Sequence, residues 1–210
     1  MIEVFGYSLG ELLFRLKFAD AQKHRREDGE VFVTDLVLCG VRLQKQRKFP
    51  EIEPSNAFNS RTLEGDIVHK GVQTVLKEVL GDRVQVEVEG SKEVAGFRLK
   101  GRIDAIVDGK YGVEIKHVKS DYGIGTYKHH MLQALIYWWM FDLESVELLY
   151  ISGDRSTSIP VEGSLTEEDI AKLILEPKPV AEEWVCRYCE YSFSCQYKLT
   201  GKVPRGELQP

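Results

Sequence analysis

Three of the four cysteines fall close together near the C-terminal end, as Cys186-x2-Cys189-x5-Cys195, and the fourth, Cys39, lies far upstream. No other feature restricts the fold as much. If all four enter one site, none is left over and two distant stretches of chain must meet. A two-residue gap lets both thiolates grip one metal centre. On spacing alone, four thiolates suit tetrahedral zinc and an iron–sulfur cluster equally well. Four unrelated buried thiols are the plain alternative, and the clustering of three of them argues against it.

The 210 residues suit one domain, or one domain with a small appendage, and 43% hydrophobic content supplies a core. No stretch approaches the roughly 18 apolar residues of a membrane span. Residues 1–10 lack a basic segment followed by an apolar one, so no secretion signal is expected. A cytoplasmic location without membrane contact follows as an expectation, and disulfides are rare there. The net charge of −5 implies that any nucleic-acid contact is local. Candidates are Arg42, Lys45, Arg47 and Lys48, and the Lys128-His129-His130 stretch.

The spacing predicts a first helix over 8–26, with Leu12, Leu13, Leu16 and Phe18 as apolar residues. Thr34-Asp35 reads as the start of a second helical stretch that carries Cys39 and ends in the basic run. Pro50 and Pro54 punctuate a loop. Residues 62–80 read as an amphipathic helix with Leu63, Ile67, Val75 and Val79 on its apolar side, helped by Val72 and Leu76. Strands follow at 84–89, 93–99, 101–107 and 111–117, then a helix at 126–142, a buried strand at 146–152 and a helix at 166–175 capped by Thr166. Trp138 and Trp139 read as core or interface residues. This order gives an α/β or α+β fold, a mixed sheet flanked by helices.

The hairpin of 101–117 carries the most chemistry. Ile103, Ala105 and Val107 alternate on one strand, and Val113 and Ile115 on the next, as core faces. Arg102 and Asp104, with Glu114 and Lys116, then occupy the opposite face. A three-residue loop at 108–110 sets Val107 against Tyr111 and places Asp104 opposite Glu114, at a Cβ separation of roughly 4.5–5.5 Å. Facing carboxylates repel unless a cation lies between them, and Mg²⁺ accepts such oxygen ligands. Lys116 points the same way, where it can orient or deprotonate a water and stabilise charge on phosphate. Metal, activated water and a cation on the phosphorane are the requirements of phosphodiester hydrolysis. An Asp plus Glu-x-Lys is a short pattern, and an exposed hairpin with a Glu–Lys pair is its plain alternative.

Upstream, Gly65-Asp66-Ile67-Val68-His69 sets a histidine in a helix, where it can supply nitrogen to the metal. Downstream, Gln133 and Tyr137 share a helical face and can bond a phosphate or stack a base. The series Gly65…His69, Gly101-Arg102-Ile103-Asp104, Glu114-Ile115-Lys116 and Gln133-Ala134-Leu135-Ile136-Tyr137 resembles the RecB-type branch of the PD-(D/E)xK nucleases. Ile103 stands where the namesake motif has proline.

With an early cysteine and the C-terminal trio added, the chain resembles the CRISPR-associated exonuclease family, the iron–sulfur nucleases of the spacer-acquisition module. The resemblance runs from about Thr34 to Tyr197, and Gly40 departs from a proline common in relatives. It implies a RecB-like, restriction-endonuclease-like core at 61–160 within a single domain of 1–210. Segments 34–60 and 180–200 would be joined by the cluster, with Cys39, Cys186, Cys189 and Cys195 as ligands. It breaks the tie between zinc and iron in favour of [4Fe–4S], although four cysteines also serve [2Fe–2S]. It implies Asp104, Glu114 and Lys116 as catalytic residues and His69, Asp104 and Glu114 as ligands of Mg²⁺ or Mn²⁺. It also implies cleavage of single-stranded DNA, or of single-stranded ends, from the 5′ end, and a partnership with the CRISPR integrase proteins. The aromatics Trp184, Tyr188, Tyr191, Phe193 and Tyr197 would shield the cluster or stack bases. Two rivals are a RecB-like repair or restriction nuclease outside CRISPR and a non-catalytic, zinc-stapled DNA-binding module.

Overall fold

The computed structural model describes residues 3–4, 6–23, 27–52, 60–119, 124–125, 127–179 and 183–199. A short hairpin, β1 (Glu3–Val4) and β2 (Tyr7–Ser8), leads into α1 (Leu9–Lys23). Then follow β3 (Glu30–Phe32), α2 (Val33–Val37), α3 (Gly40–Lys48) and α4 (Ser60–Leu80). The main strands are β4 (Val84–Val94), β5 (Phe97–Val107) and β6 (Tyr111–His117). The rest comprises α5 (Lys128–Met140), β7 (Ser145–Ile151), β8 (Ser156–Pro160), α6 (Glu167–Leu175) and α7 (Glu183–Arg187). The end of the expected first helix, residues 24–26, and the loop proline Pro54 lie outside the described residues.

The central sheet is mixed. β4 lies antiparallel along the whole of β5, β6 runs antiparallel to β5, and β7 is parallel to β6 and antiparallel to β8. β3, which the sequence reading missed, pairs parallel with the start of β5. Three residues of strand are too few for an alternation signal to register. One face of the sheet carries the larger core, built from α2, α5 and α6 with Leu99, Ile136, Leu148, Tyr150 and Ile170 fully buried. The other face carries a smaller core of Val84, Ala105, Val113 and Ile115, covered by Val72, Leu76 and Leu80 of α4.

Several sequence expectations are corrected by this packing. Strands do not end near residue 100; β4 and β5 are each eleven residues long and turn at Ala95-Gly96. Both turn residues have positive φ, 52° and 81°, the mirror-image turn that suits the twist of a two-residue hairpin. The second helical stretch starts at Val33 and breaks around Leu38-Cys39; Asp35 Oδ2 accepts from the Phe32 amide at 2.9 Å to close its first turn. Thr166 caps α6 as expected, accepting from the Asp169 amide. On α4 the buried side is Val72, Leu76 and Leu80, whereas Ile67, Val75 and Val79 are 63%, 56% and 75% exposed. The helix carries two apolar stripes, and only the sheet-facing polar pair His69 and Gln73 decides which one turns inward. Leu13, Leu16 and Phe18 of α1 are also exposed, and Lys17 of that helix pairs with Asp66 of α4.

Candidate active site and cysteine pocket

The site forms where β5 changes partner. Its free edge is taken by β3 at residues 98–100 and by β6 at residues 105–107. Among the described residues, 101–104 have no ladder partner on that edge. α5 settles over the opening: a Cβ at Gly101 would lie 2.7 Å from Tyr137 Cε1 and 2.9 Å from Val33 Cγ2. Only glycine admits this approach, and it sets Gln133 and Tyr137 beside the acids.

The loop at 108–110 has three residues and the pairs Val107↔Tyr111 and Ala105↔Val113, as the core pattern required. The ladder stops there, so Asp104 and Glu114 are not a cross-strand pair. Asp104 Oδ2 instead accepts from the Ile115 amide at 2.7 Å, taking the place of a strand carbonyl. The alternation of β5 breaks at the same point: Ala105 and Val107 pack toward α4, but Ile103 packs in the larger core near Gly112. Opposite Asp104, Glu87 of β4 adopts a left-handed φ of 53° and is absent from the otherwise regular β4–β5 register.

Asp104 Oδ1 lies 3.0 Å from His69 Nδ1, and the Asp104 carbonyl accepts from Gln73 Nε2 at 3.3 Å. Gln73 also donates to Glu87 at 2.6 Å. Sequence reading missed Gln73, although it stands four residues after His69 on the same helical face. Glu114 is 3% exposed; its Oε1 accepts from Lys116 Nζ at 2.8 Å, while Oε2 is buried without a hydrogen-bond partner. Lys116 Nζ also donates to Gln133 Oε1 at 2.7 Å, and Gln133 Nε2 donates to the Tyr137 hydroxyl at 3.2 Å. Tyr137 is buried, so its ring offers no face to a base; with Gln133 it stands behind Lys116.

Burial raises the Glu114 pKa to about 7 against the pull of Lys116, and the charge on Asp104 adds to the rise. Burial opposes the charge on His69, yet the hydrogen bond it donates to Asp104 and the charges of Asp104 and Glu114 prevail and raise its pKa. Burial also lifts the Tyr137 hydroxyl well above its usual range, so it stays protonated. The cluster thus keeps two carboxylates that oppose each other's ionisation around one orphaned oxygen.

Cys39, Cys186, Cys189 and Cys195 line one cavity, with Arg42, Lys45, Tyr191 and Tyr197 in its wall. Tyr191 is fully buried, while Trp184, Tyr188 and Phe193 are exposed, so only some of the aromatics shield the pocket. Among the described residues, no three His, Cys, Asp or Glu side chains stand in coordinating geometry around one point. Two cations of the basic run of α3 are engaged within the chain, while Arg47 and Lys48 are exposed. Arg42 bonds Glu190, Lys45 bonds the Ser194 carbonyl, and the Arg47 guanidinium lies over the Phe97 ring. His130 turns inward, 3.0 Å from the Tyr150 hydroxyl, and burial, then the charge of Lys116, keeps it neutral.

No protein-family model matches the chain. It is 33% identical over 201 residues to the CRISPR-associated exonuclease Cas4 of Saccharolobus solfataricus, covering 90% of this chain and 98% of that protein. The chain belongs to the Cas4 exonuclease family. The crystal structure of SSO0001 superposes on this Cas4-family chain with a TM-score of 0.83 at 33% identity, over 93% of this chain and 100% of that one. An alkaline exonuclease from Laribacter hongkongensis, LHK-Exo, shares the fold at a TM-score of 0.50 and 13% identity, over 83% and 90% of the two chains. Family and fold make the Cas4-family chain a RecB-like nuclease, a phosphodiester hydrolase. Among the described residues, no helix is long and apolar enough to cross a membrane.

Proposed function

We propose that this chain is a Mg²⁺- or Mn²⁺-dependent exonuclease that degrades single-stranded DNA from the 5′ end during CRISPR spacer acquisition, with the integrase proteins as partners. Its cysteines hold an iron–sulfur cluster, [4Fe–4S] by family resemblance. The observation that carries the catalytic reading is the buried, unpartnered Oε2 of Glu114 beside the Asp104–His69 pair. Asp104 and Glu114 offer hard oxygen donors, and the charge they share disfavours both being ionised without a cation. Asp104, Glu114 and His69 would hold the cation, with His69 Nδ1 and Asp104 Oδ1 already 3.0 Å apart. The metal would supply Lewis acidity and a water of lowered pKa.

The chain's own groups do the rest. Lys116 is aimed by Glu114 Oε1 and Gln133 Oε1, and its ammonium offers positive charge to a scissile phosphate or a hydrogen bond to water. Gln133, held by Tyr137, fixes that ammonium. Gln133→Leu is expected to lower kcat about 10- to 100-fold with little change in KM. Steady-state kinetics on an oligonucleotide check this, and a pure KM effect would return Gln133 to DNA contact.

Four thiols around one cavity fit a thiolate-ligated cofactor, and burial, ahead of the effects of Glu190 and Cys39, pushes the Cys189 thiol up until a metal arrives. Oligonucleotides labelled at the 5′ or 3′ end test the substrate and polarity directly. Mononucleotide release from the 5′ label first, only on single strands and only with Mg²⁺ or Mn²⁺, is expected. Cleavage restricted to duplex, or independent of divalent metal, would overturn the proposal.

A further inference from the structure

The cysteine trio is tied to α3 by side chains that are not ligands. Arg42 Nε and Nη2 both reach Glu190 Oε1, at 3.1 and 2.7 Å, and the Glu190 side chain is only 3% exposed. Lys45 Nζ donates to the Ser194 carbonyl at 2.8 Å and to its hydroxyl at 3.3 Å. Glu190 directly follows Cys189, and Ser194 directly precedes Cys195. Arg42 and Lys45 stand three residues apart on α3, and Cys39 directly precedes the first residue of that helix, so this short helix and its N-cap present a cysteine and both clamps. Two further bonds close the same junction: the Tyr191 hydroxyl donates to the Phe49 carbonyl at 3.2 Å, and the Gly40 amide donates to the Lys178 carbonyl at 3.1 Å.

We propose that Arg42 and Lys45 are positioning residues that hold the Cys186–Cys195 loop on α3 without any bound metal, so that the cofactor enters a pocket already shaped by protein contacts. The two cations also line the cavity. They stand where four thiolates would accumulate negative charge, and outer groups of this kind tune and retain a metal centre. Removing Arg42 leaves Glu190 buried without its partner, which opens the loop instead of merely loosening it.

The inference rests on the cysteine-site reading, and the test separates the two. The full chain is stripped of metal anaerobically with chelator and reductant. Hydrogen exchange is then followed by mass spectrometry over 183–199 and, as an internal reference, over β4–β7. The metal-free parent should stay protected at 183–199. Arg42→Met and Lys45→Ala should exchange there at least tenfold faster with the reference unchanged, and should reload Fe²⁺ and sulfide at least tenfold more slowly. The double exchange Arg42→Glu with Glu190→Arg should restore protection. Glu190→Gln provides a milder lesion if Arg42→Met fails to fold. Free exchange in the metal-free parent, or parent-like protection in both Arg42→Met and Glu190→Gln, overturns the inference. A parent that never binds iron or zinc through its thiols defeats the cysteine-site reading instead, while the exchange data still decide the clamp.

Discussion

Replacing Glu114 with glutamine is expected to abolish metal-dependent DNA cleavage and, at the same time, to make the metal-free protein more heat-stable at pH 8. The loss of activity should be at least about 100-fold, the scale of removing one group that stabilises transition-state charge. The gain in stability follows from burial. Glu114 has a folded pKa of about 7, above its ordinary value of 4.5, because desolvation and Asp104 oppose its charge more than Lys116 and His69 support it. An acid raised in this way contributes its stability below the unfolded pKa and loses it as pH rises through the folded one. The metal-free wild type should therefore lose heat stability between pH 5 and pH 8, by up to about 3 kcal/mol or several degrees in Tm. The glutamine variant should lack that decline. Mg²⁺ or Mn²⁺ should restore the wild type most at pH 8 and leave the variant unmoved. Thermal melts at the two pH values, with and without metal, check all of this. Coincident profiles would remove Glu114 from the metal site.

The second large effect belongs to the cysteines. Cys186 is the buried member of the four. Cys186→Ser should empty the pocket of metal and remove the broad visible absorbance of the purified protein, while residues 183–199 stay held on α3 by Arg42 and Lys45. The sheet should survive, because β4 to β7 make their own core with α4 and α5. Activity should fall as a consequence, after colour. Metal analysis and absorbance of protein prepared anaerobically decide the matter: a colourless wild type with one zinc per chain sinks the iron–sulfur proposal, and a variant that keeps its colour sinks the ligand assignment.

Much of this was legible in the residues themselves. The loop of 108–110 could be read because Ala105 and Val113 must share a face, and a shift of one residue would expose both. The hairpin of 101–117, the Thr166 cap and the long α5 followed from patterns that span few residues. What escaped depends on partners distant in sequence. The inward stripe of α4 is decided by His69 and Gln73 meeting Asp104, not by hydrophobic spacing. The break in alternation at Ile103 arises because β5 exchanges β3 for β6, and no local signal in β5 records that. The engagement of Arg42 and Lys45 escaped because their partners, Glu190 and Ser194, lie on the far side of the whole domain in sequence.

The change of partner along β5 divides the sheet into two stiff halves. Asp104 rides with β4 through ten paired positions, while Glu114 and Lys116 ride with β7 through seven. Only three pairs between β5 and β6 cross the seam. An inserted residue at 108–110 would slip that short seam and carry Glu114 out of step with Asp104, whereas one at Ala95-Gly96 would move neither. Natural length variation and engineered insertions should accordingly be tolerated at the second turn and excluded from the first.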